Sequence, residues 1–406
     1  MTYAPEWDVI IVGAGPAGNK AAQEFAKKKM SVLVIDRKQQ IGPPKRCGEG
    51  LSMRWIKIGD QEPDPRWALQ EITSTMLIAP NGKKVKIDTS KTNQTGYIIE
   101  RSQWEKMEAE KAIRLGAKYM LKALVNGLVM DGEQVVGVKV SREGNDEEYR
   151  CKIVIACDGV DSVVGRYAGL HTAMPLSECD SGYQYEMANV PIDDQKCMEL
   201  YFGKDVAPRG YVWVFPKGKD VANVGIGIAS TDEETAKMYL DRWIEKHSSR
   251  FKKASVTEIN AGVIPVTKPV DEFCGNGIML VGDSARMVNP IHGGGMGPAL
   301  EAAMMAAETG AKAIKAGDTS KKMLKPYQDT WEKVRGEEFA KILRVRHFVE
   351  KLGDEQFNAL VELSEKEDFD TQLFVRLGRG KGLMDLAKVV MKATPSAAKF
   401  AMGFLK

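Results

Sequence analysis

The sequence predicts an α/β chain in three parts: a Rossmann-like nucleotide-binding domain built from discontinuous segments, an inserted antiparallel β-rich domain, and a helical C-terminal part. Three observations predict it. Continuous apolar runs of the kind buried in parallel sheets occur at residues 8–12, 152–156 and 278–281. Residues 73–99 and 180–268, lying between those runs, alternate in strand fashion. From residue 320 onward the spacing of apolar residues is mostly helical. The expected division is therefore 1–75, 98–170 and 270–335 for the nucleotide domain, 76–97 and 171–269 for a β-rich substrate-binding domain, and 336–406 for the helical region.

Each element has a local reason. A strand at 8–12, a glycine turn, a helix over 16–29 and a strand at 31–35 make a βαβ unit. Pro43, Pro44, Pro63 and Pro65 predict an irregular stretch over 37–75. Asn81-Gly82 marks a hairpin, and Asp131-Gly132 marks a second one between strands at 118–128 and 135–141. Helices are expected over 102–115, 232–248 and 297–315.

Composition narrows the class. The 406 residues are 43% hydrophobic with a net charge of only +3, which excludes a disordered chain and gives no reason to expect nucleic acid. Six cysteines without a CxxC exclude a disulfide framework and a zinc site. Residues 1–7 carry no basic-then-apolar secretion pattern, and no run approaches the ~18 apolar residues of a membrane span. A reduced, cytoplasmic protein is expected.

Gly13-Ala14-Gly15-Pro16-Ala17-Gly18 fits the dinucleotide fingerprint GxGxxG between strand and helix, with Asp36 at the end of the next strand. Gly13 permits the tight turn, Gly15 lets backbone approach a pyrophosphate, and Gly18 lets the helix lie close to the strand. Asp36 is placed to accept hydrogen bonds from a ribose diol. The chain has one such fingerprint, at its N-terminal end, with later partial motifs returning to the same domain. That arrangement favours FAD over a nicotinamide dinucleotide.

Two later segments carry a resemblance. Cys157-Asp158-Gly159 through Arg166, and Gly282-Asp283 through Gly297, resemble the DG and GD segments of flavoproteins with the p-hydroxybenzoate hydroxylase fold. Three departures from the hydroxylases follow: the loop Pro44-Lys45-Arg46-Cys47-Gly48-Glu49-Gly50, Arg101 at a strand-to-helix junction, and Pro208 to Gly218, reading PxxYxWxFPKG. Together they resemble the geranylgeranyl reductase family, including archaeal digeranylgeranylglycerophospholipid reductases, over residues 8 to about 310. The resemblance implies FAD held by Ala17 and Asp36 at the ADP half and by Val125 at the adenine side. Cys47, Gly48, Gly50 and Arg101 would line the flavin, and Asp283, Gly295 and Met296 would hold the ribityl chain and ring.

The implied reaction is reduction of isolated double bonds in geranylgeranyl chains by hydride from flavin N5 plus a proton, with Cys47 as a candidate proton donor or gate. Tyr211, Trp213 and Phe215 recur at every second position, so a strand presents them on one face as a wall for a polyprenyl chain, with His292 as a further substrate contact. The flanking Pro208, Pro216 and Gly218 argue against a regular core strand. Residues 376–406 hold seven basic residues against one acid, +6, interleaved with apolar ones. That pattern suits either peripheral contact with an anionic membrane or a helix packed on the body. The external electron donor is expected to be reduced ferredoxin or NADPH. Rival readings are a flavin monooxygenase or halogenase of the same fold, an electron-transfer flavoprotein, and a reductase of geranylgeranyl diphosphate or of a chlorophyll-type tetrapyrrole.

Overall fold

A computed structural model describes residues 7–90, 95–366, 372–377 and 379–393. Its first sheet is built from the apolar runs. Trp7–Val12 pairs in parallel with Val32–Ile35 on one side and with Asn145–Ala156 on the other. Ile278–Leu280 and Lys118–Met120 extend that parallel core outward. Val9 to Ile11, Ile153 to Ala156 and Ile278 to Leu280 are fully buried because helices or a hairpin cover both faces. One cover is the helix Pro16–Lys27, and another is Met296–Ala316, whose alanines and glycines let it lie close.

The expected strand at 118–128 is two strands. Lys118–Met120 joins the parallel sheet, while Leu124–Asp131 turns away and forms an antiparallel hairpin with Gln134–Arg142. The stretch 37–75, expected to be irregular, contains Gly50–Ser52, the helix Met53–Ile58 and Ala68–Ile72. These two strands flank Gly96–Ile99 in a small antiparallel sheet. The prolines fall between these elements, so they set their short lengths without preventing them.

The second large sheet has seven strands in the order Ser255–Pro265, Cys179–Ala188, Val221–Ala229, Tyr211–Pro216, Cys197–Tyr201, Ser74–Ile78 and Lys84–Asp88. Tyr211–Pro216 is a regular interior strand, contrary to expectation. Pro216 stands at its end, and the amide of Lys217 closes the following turn on the Val221 carbonyl. Val212 and Val214 are buried in a core with Leu240 and Trp243 of the helix Ala236–Lys246, which leaves the three aromatic residues on the opposite face.

Helix Lys321–Trp331 runs through a π-helical turn, Glu332–Gly336, directly into Glu337–Val349. The division expected at 335/336 falls inside this continuous helix. Gly336 keeps helical dihedrals there and does not break it. Of the basic tail, the described helix Leu383–Ala393 buries Leu386, Ala387 and Val390 against Val345, Phe348 and Leu360. Its apolar face is thus occupied by the protein itself. The remaining tail positions from 394 lie outside the described residues.

Candidate active site

A cavity of about 1110 Å³ joins the first sheet, the seven-stranded sheet and the C-terminal helices. Gly13, Gly15, Ala17, Asp36, Cys47, Gly48, Gly50, Arg101, Val125, Asp283, Gly295 and Met296 all line it, as do Tyr211, Trp213, Phe215 and His292. Gly18 does not. It lies beneath the loop, where a Cβ would sit 1.8 Å from the Gly13 carbonyl oxygen, so this third glycine of the fingerprint serves helix packing and does not line the cofactor cavity.

The nucleotide end is shaped by close approaches. Gly13 has φ +105°, and a Cβ there would lie 2.2 Å from the Cys157 carbonyl oxygen. The Asp36 carboxylate accepts from the amides of Ala14 (2.7 Å) and Lys38 (2.8 Å), so it braces the glycine loop besides facing the cavity. Asp158 Oδ2 accepts from the Val164 amide at 2.9 Å, while its Oδ1 is buried without a protein partner. Burial raises the pKa of Asp158, and also that of Asp283, where Arg101 partly opposes it. Gly15 leaves open space where a side chain would stand, at the start of helix Pro16–Lys27. An open glycine cradle at a helix N-terminus, with an orphaned acceptor beside it, fits the phosphates and ribityl hydroxyls of FAD.

The Cys47 loop and the aromatic strand meet. A Cβ on Gly48 would stand 3.0 Å from the Phe215 ring. Gln184 joins the two elements: it accepts from Trp213 Nε1 at 2.9 Å and donates to the Cys47 carbonyl at 3.2 Å. Neighbouring rings along the strand are 6.0 Å apart, Tyr211 to Trp213 and Trp213 to Phe215. Tyr211 Oη donates to the His292 carbonyl at 3.0 Å, and His292 Nδ1 accepts from the Gly294 amide at 3.1 Å. Desolvation inside the cavity lowers the His292 pKa, although the residue keeps solvent access.

Cys47 Sγ accepts from the Glu49 amide at 3.1 Å. Burial raises its pKa against the pull of Arg101, so the group is a thiol at neutral pH. Arg101 is itself held by Glu105, 2.7 Å from its Nε.

Sequence reasoning missed the groups around this pair. Sheet register places Phe215, Asn223, Glu186 and Glu258 in one row, and Trp213, Gly225, Gln184 and Asn260 in the next. The first row meets Lys45 and Lys217 in a buried ionic cluster. Lys217 Nζ lies 2.8 Å from Glu49, 2.8 Å from Glu100 and 2.7 Å from Glu186. Lys45 Nζ lies 3.0 Å from Glu258 and 3.4 Å from Glu49. In the second row, both amide atoms of Asn260 are buried without a protein partner, and the residue lines the cavity. Lys45, Glu49 and Lys217 stood inside the quoted motifs, and their spacing to the glutamates gave no signal.

Fold and site together define an FAD-dependent oxidoreductase with a Rossmann-like nucleotide domain. The geranylgeranyl reductase catalytic domain profile matches residues 178–264, and that of pyridine nucleotide-disulphide oxidoreductases matches residues 7–198. A digeranylgeranylglycerophospholipid reductase of Methanopyrus kandleri is 37% identical over 406 residues, covering 99% of this chain and 100% of that one. Another, from Methanosphaera stadtmanae, is 39% identical over 368 residues, 90% of this chain and 93% of that one. The crystal structure of a geranylgeranyl bacteriochlorophyll reductase-like protein from Thermoplasma acidophilum has a TM-score of 0.89 at 31% identity, over 99% and 100% of the two chains. The chain belongs to the geranylgeranyl reductase family. A flavin-dependent brominase, 21% identical with a TM-score of 0.74 over 97% and 100% of the chains, shares the fold alone.

Proposed function

We propose that this protein hydrogenates the isolated double bonds of geranylgeranyl chains carried on archaeal-type digeranylgeranylglycerophospholipids. The observation that carries this reading is the meeting of Cys47 and the Tyr211–Trp213–Phe215 wall in one cavity. Aromatic faces suit a substrate that offers only apolar surface and polarisable double bonds. FAD, once reduced, supplies a hydride. The chain's own residues orient the alkene, exclude water and deliver a proton.

Gly13, Gly15, Ala17, Asp36 and Val125 hold the adenine half of the cofactor in this reading. Cys47, Gly48, Gly50 and Arg101 stand beside its ring, with Asp283, Gly295 and Met296 at the ribityl side. Cys47 Sγ–H is the proton donor in this reading, its raised pKa keeping the proton on sulfur at neutral pH. Tyr211, Trp213, Phe215 and His292 contact the chain and stabilise positive charge developing on the alkene.

The single fingerprint supports an external donor, reduced ferredoxin or NADPH, that needs no second Rossmann domain. A lipid substrate and the basic tail support peripheral contact with the cytoplasmic membrane face. No helix among the described residues is long and apolar enough to cross a membrane.

The test is mass spectrometry of prenyl lipids after anaerobic incubation with dithionite-reduced, FAD-loaded enzyme. A gain of one hydrogen pair per reduced bond on the digeranylgeranyl phospholipid is expected. Reduction of geranylgeranyl diphosphate or a geranylgeranylated tetrapyrrole instead would reassign the substrate. Turnover only with oxygen or halide would overturn the reading.

A further inference from the structure

One end of the cavity is cationic for no reason the hydrocarbon chain supplies. Arg54, Arg335 and Arg379 line it, together with Phe339, Ile342 and Leu386. The guanidinium carbons of Arg54 and Arg335 lie 4.9 Å and 5.1 Å from the centre of the same Trp55 ring. That indole is wedged against Gly297, where a Cβ would come within 2.1 Å of its atoms. Two guanidiniums are thus fixed on a rigid aromatic plate at the first turn of helix Met296–Ala316, next to Gly295 and Met296.

The carboxylates here are unevenly shared. Glu301 takes Arg335 in a bidentate pair at 2.5 and 2.9 Å. Glu338 also binds Arg335 closely, at 2.6 Å, and meets Arg54 only at 3.9 Å. Arg335 is thus held by two carboxylates at hydrogen-bond distance, whereas Arg54 lines the cavity with its carboxylate partner at 3.9 Å. Burial, then Arg335, and with them Arg379, push the Arg54 pKa down against the opposing pull of Glu338 and Glu301, as expected where positive charge is crowded.

We propose that Arg54, backed by Arg335 and Arg379, seats the phosphate of an anionic lipid head group while the prenyl chains run along the aromatic wall. The inference rests on the lipid-reductase reading above. A guanidinium fork matches two phosphate oxygens at once, and the apolar residues beside it accommodate the glycerol and the nearest isoprene units. The FAD pyrophosphate belongs to the glycine loop of residues 13–18, so it does not account for these arginines.

The experiment measures equilibrium binding of dispersed digeranylgeranylglyceryl phosphate, of geranylgeraniol and of inorganic phosphate to the FAD-loaded full chain. Arg54→Gln is expected to weaken phospholipid binding about tenfold or more, with geranylgeraniol affinity moving less than about twofold. Arg54→Lys, which keeps the charge without the fork, is expected to fall between and serves if the first variant folds poorly. Equal loss for both lipids, or no loss for the phospholipid, overturns the proposal. Inorganic phosphate binding as tightly as the lipid overturns the head-group assignment and leaves a free-anion site. Lipid reduction by the wild type is followed in parallel: differential binding without reduction sinks the reductase reading alone, and reduction without differential binding sinks the phosphate seat alone.

Discussion

Lys217 reaches Glu49 at 2.8 Å, and through this pair the end of the aromatic strand is tied to the loop that carries Cys47. Glu49 is fully buried, and its Oε1 and Oε2 also accept from the Arg101 amide (2.9 Å) and Asn223 Nδ2 (2.8 Å). The loop has little apolar surface with which to anchor itself, so buried charge fixes its position.

Lys217→Met should therefore be costly. It leaves the fully buried Glu49 and the part-buried Glu100 and Glu186 with only Lys45 to balance them. Breaking a buried pair from one side costs about 3–5 kcal/mol. Urea denaturation of the FAD-loaded variant should show that loss as a lower midpoint. A change below about 1 kcal/mol, the range of exposed pairs, would mean that water screens the cluster.

The same cluster sets a pH window. Burial alone would raise the Glu100 pKa, but Lys217 and Lys45 hold it below its ordinary 4.5. Its contribution is present above 4.5 and lost as pH falls through the lowered folded value. Burial would lower Lys217, but Glu49, Glu100 and Glu186 hold it above its ordinary 10.5, so its contribution is lost only as pH rises beyond that value. Melting temperature should stay level with respect to this cluster between those limits and fall on the acid side. In Lys217→Met the acid-side fall should be shallower, because less stabilisation of the carboxylates remains to be lost.

Gly225→Ala tests the aromatic wall. A Cβ at 225 would stand 2.3 Å from the Trp213 ring, so the indole must leave its hydrogen bond with Gln184. Overpacking of this kind costs about 1–3 kcal/mol. Tryptophan fluorescence should shift, and prenyl-lipid turnover should fall further than FAD occupancy, since the nucleotide cradle is untouched. Equal loss of both would show that Trp213 supports the cofactor and not the substrate.

The N-terminal βαβ unit was legible because its signals are consecutive residues, from Gly13 to Asp36. The aromatic face was legible from alternation alone, although Pro216 and Gly218 misdirected the reading of its backbone. Strand Gly50–Ser52 was not, because three residues among prolines carry no period. Nor was the ionic cluster. Glu186 and Glu258 face each other only through a strand register spanning some seventy residues, and nothing local marks either one. Arg335 carries no local mark either, and only the fold sets it against Trp55 beside Arg54.

Cys47 is the sharpest test of the chemistry. Its raised pKa keeps the proton on sulfur at neutral pH, which leaves a proton to give and disfavours a nucleophilic role, though it also weakens the acid. Arg101 opposes that rise, so Arg101→Met should push the thiol higher and slow its alkylation by iodoacetamide at pH 8. A faster reaction would mean that Arg101 shields the sulfur instead. For turnover, Cys47→Ala with pre-reduced FAD should lower the single-turnover rate of lipid reduction by about 10²-fold or more, the range for loss of a positioned general acid. Cys47→Ser matches the thiol in shape but is a far weaker acid, so it should resemble alanine and not the wild type. Unchanged rates in both variants, with FAD retained, would reduce Cys47 to a packing residue and move the proton source elsewhere in the cavity.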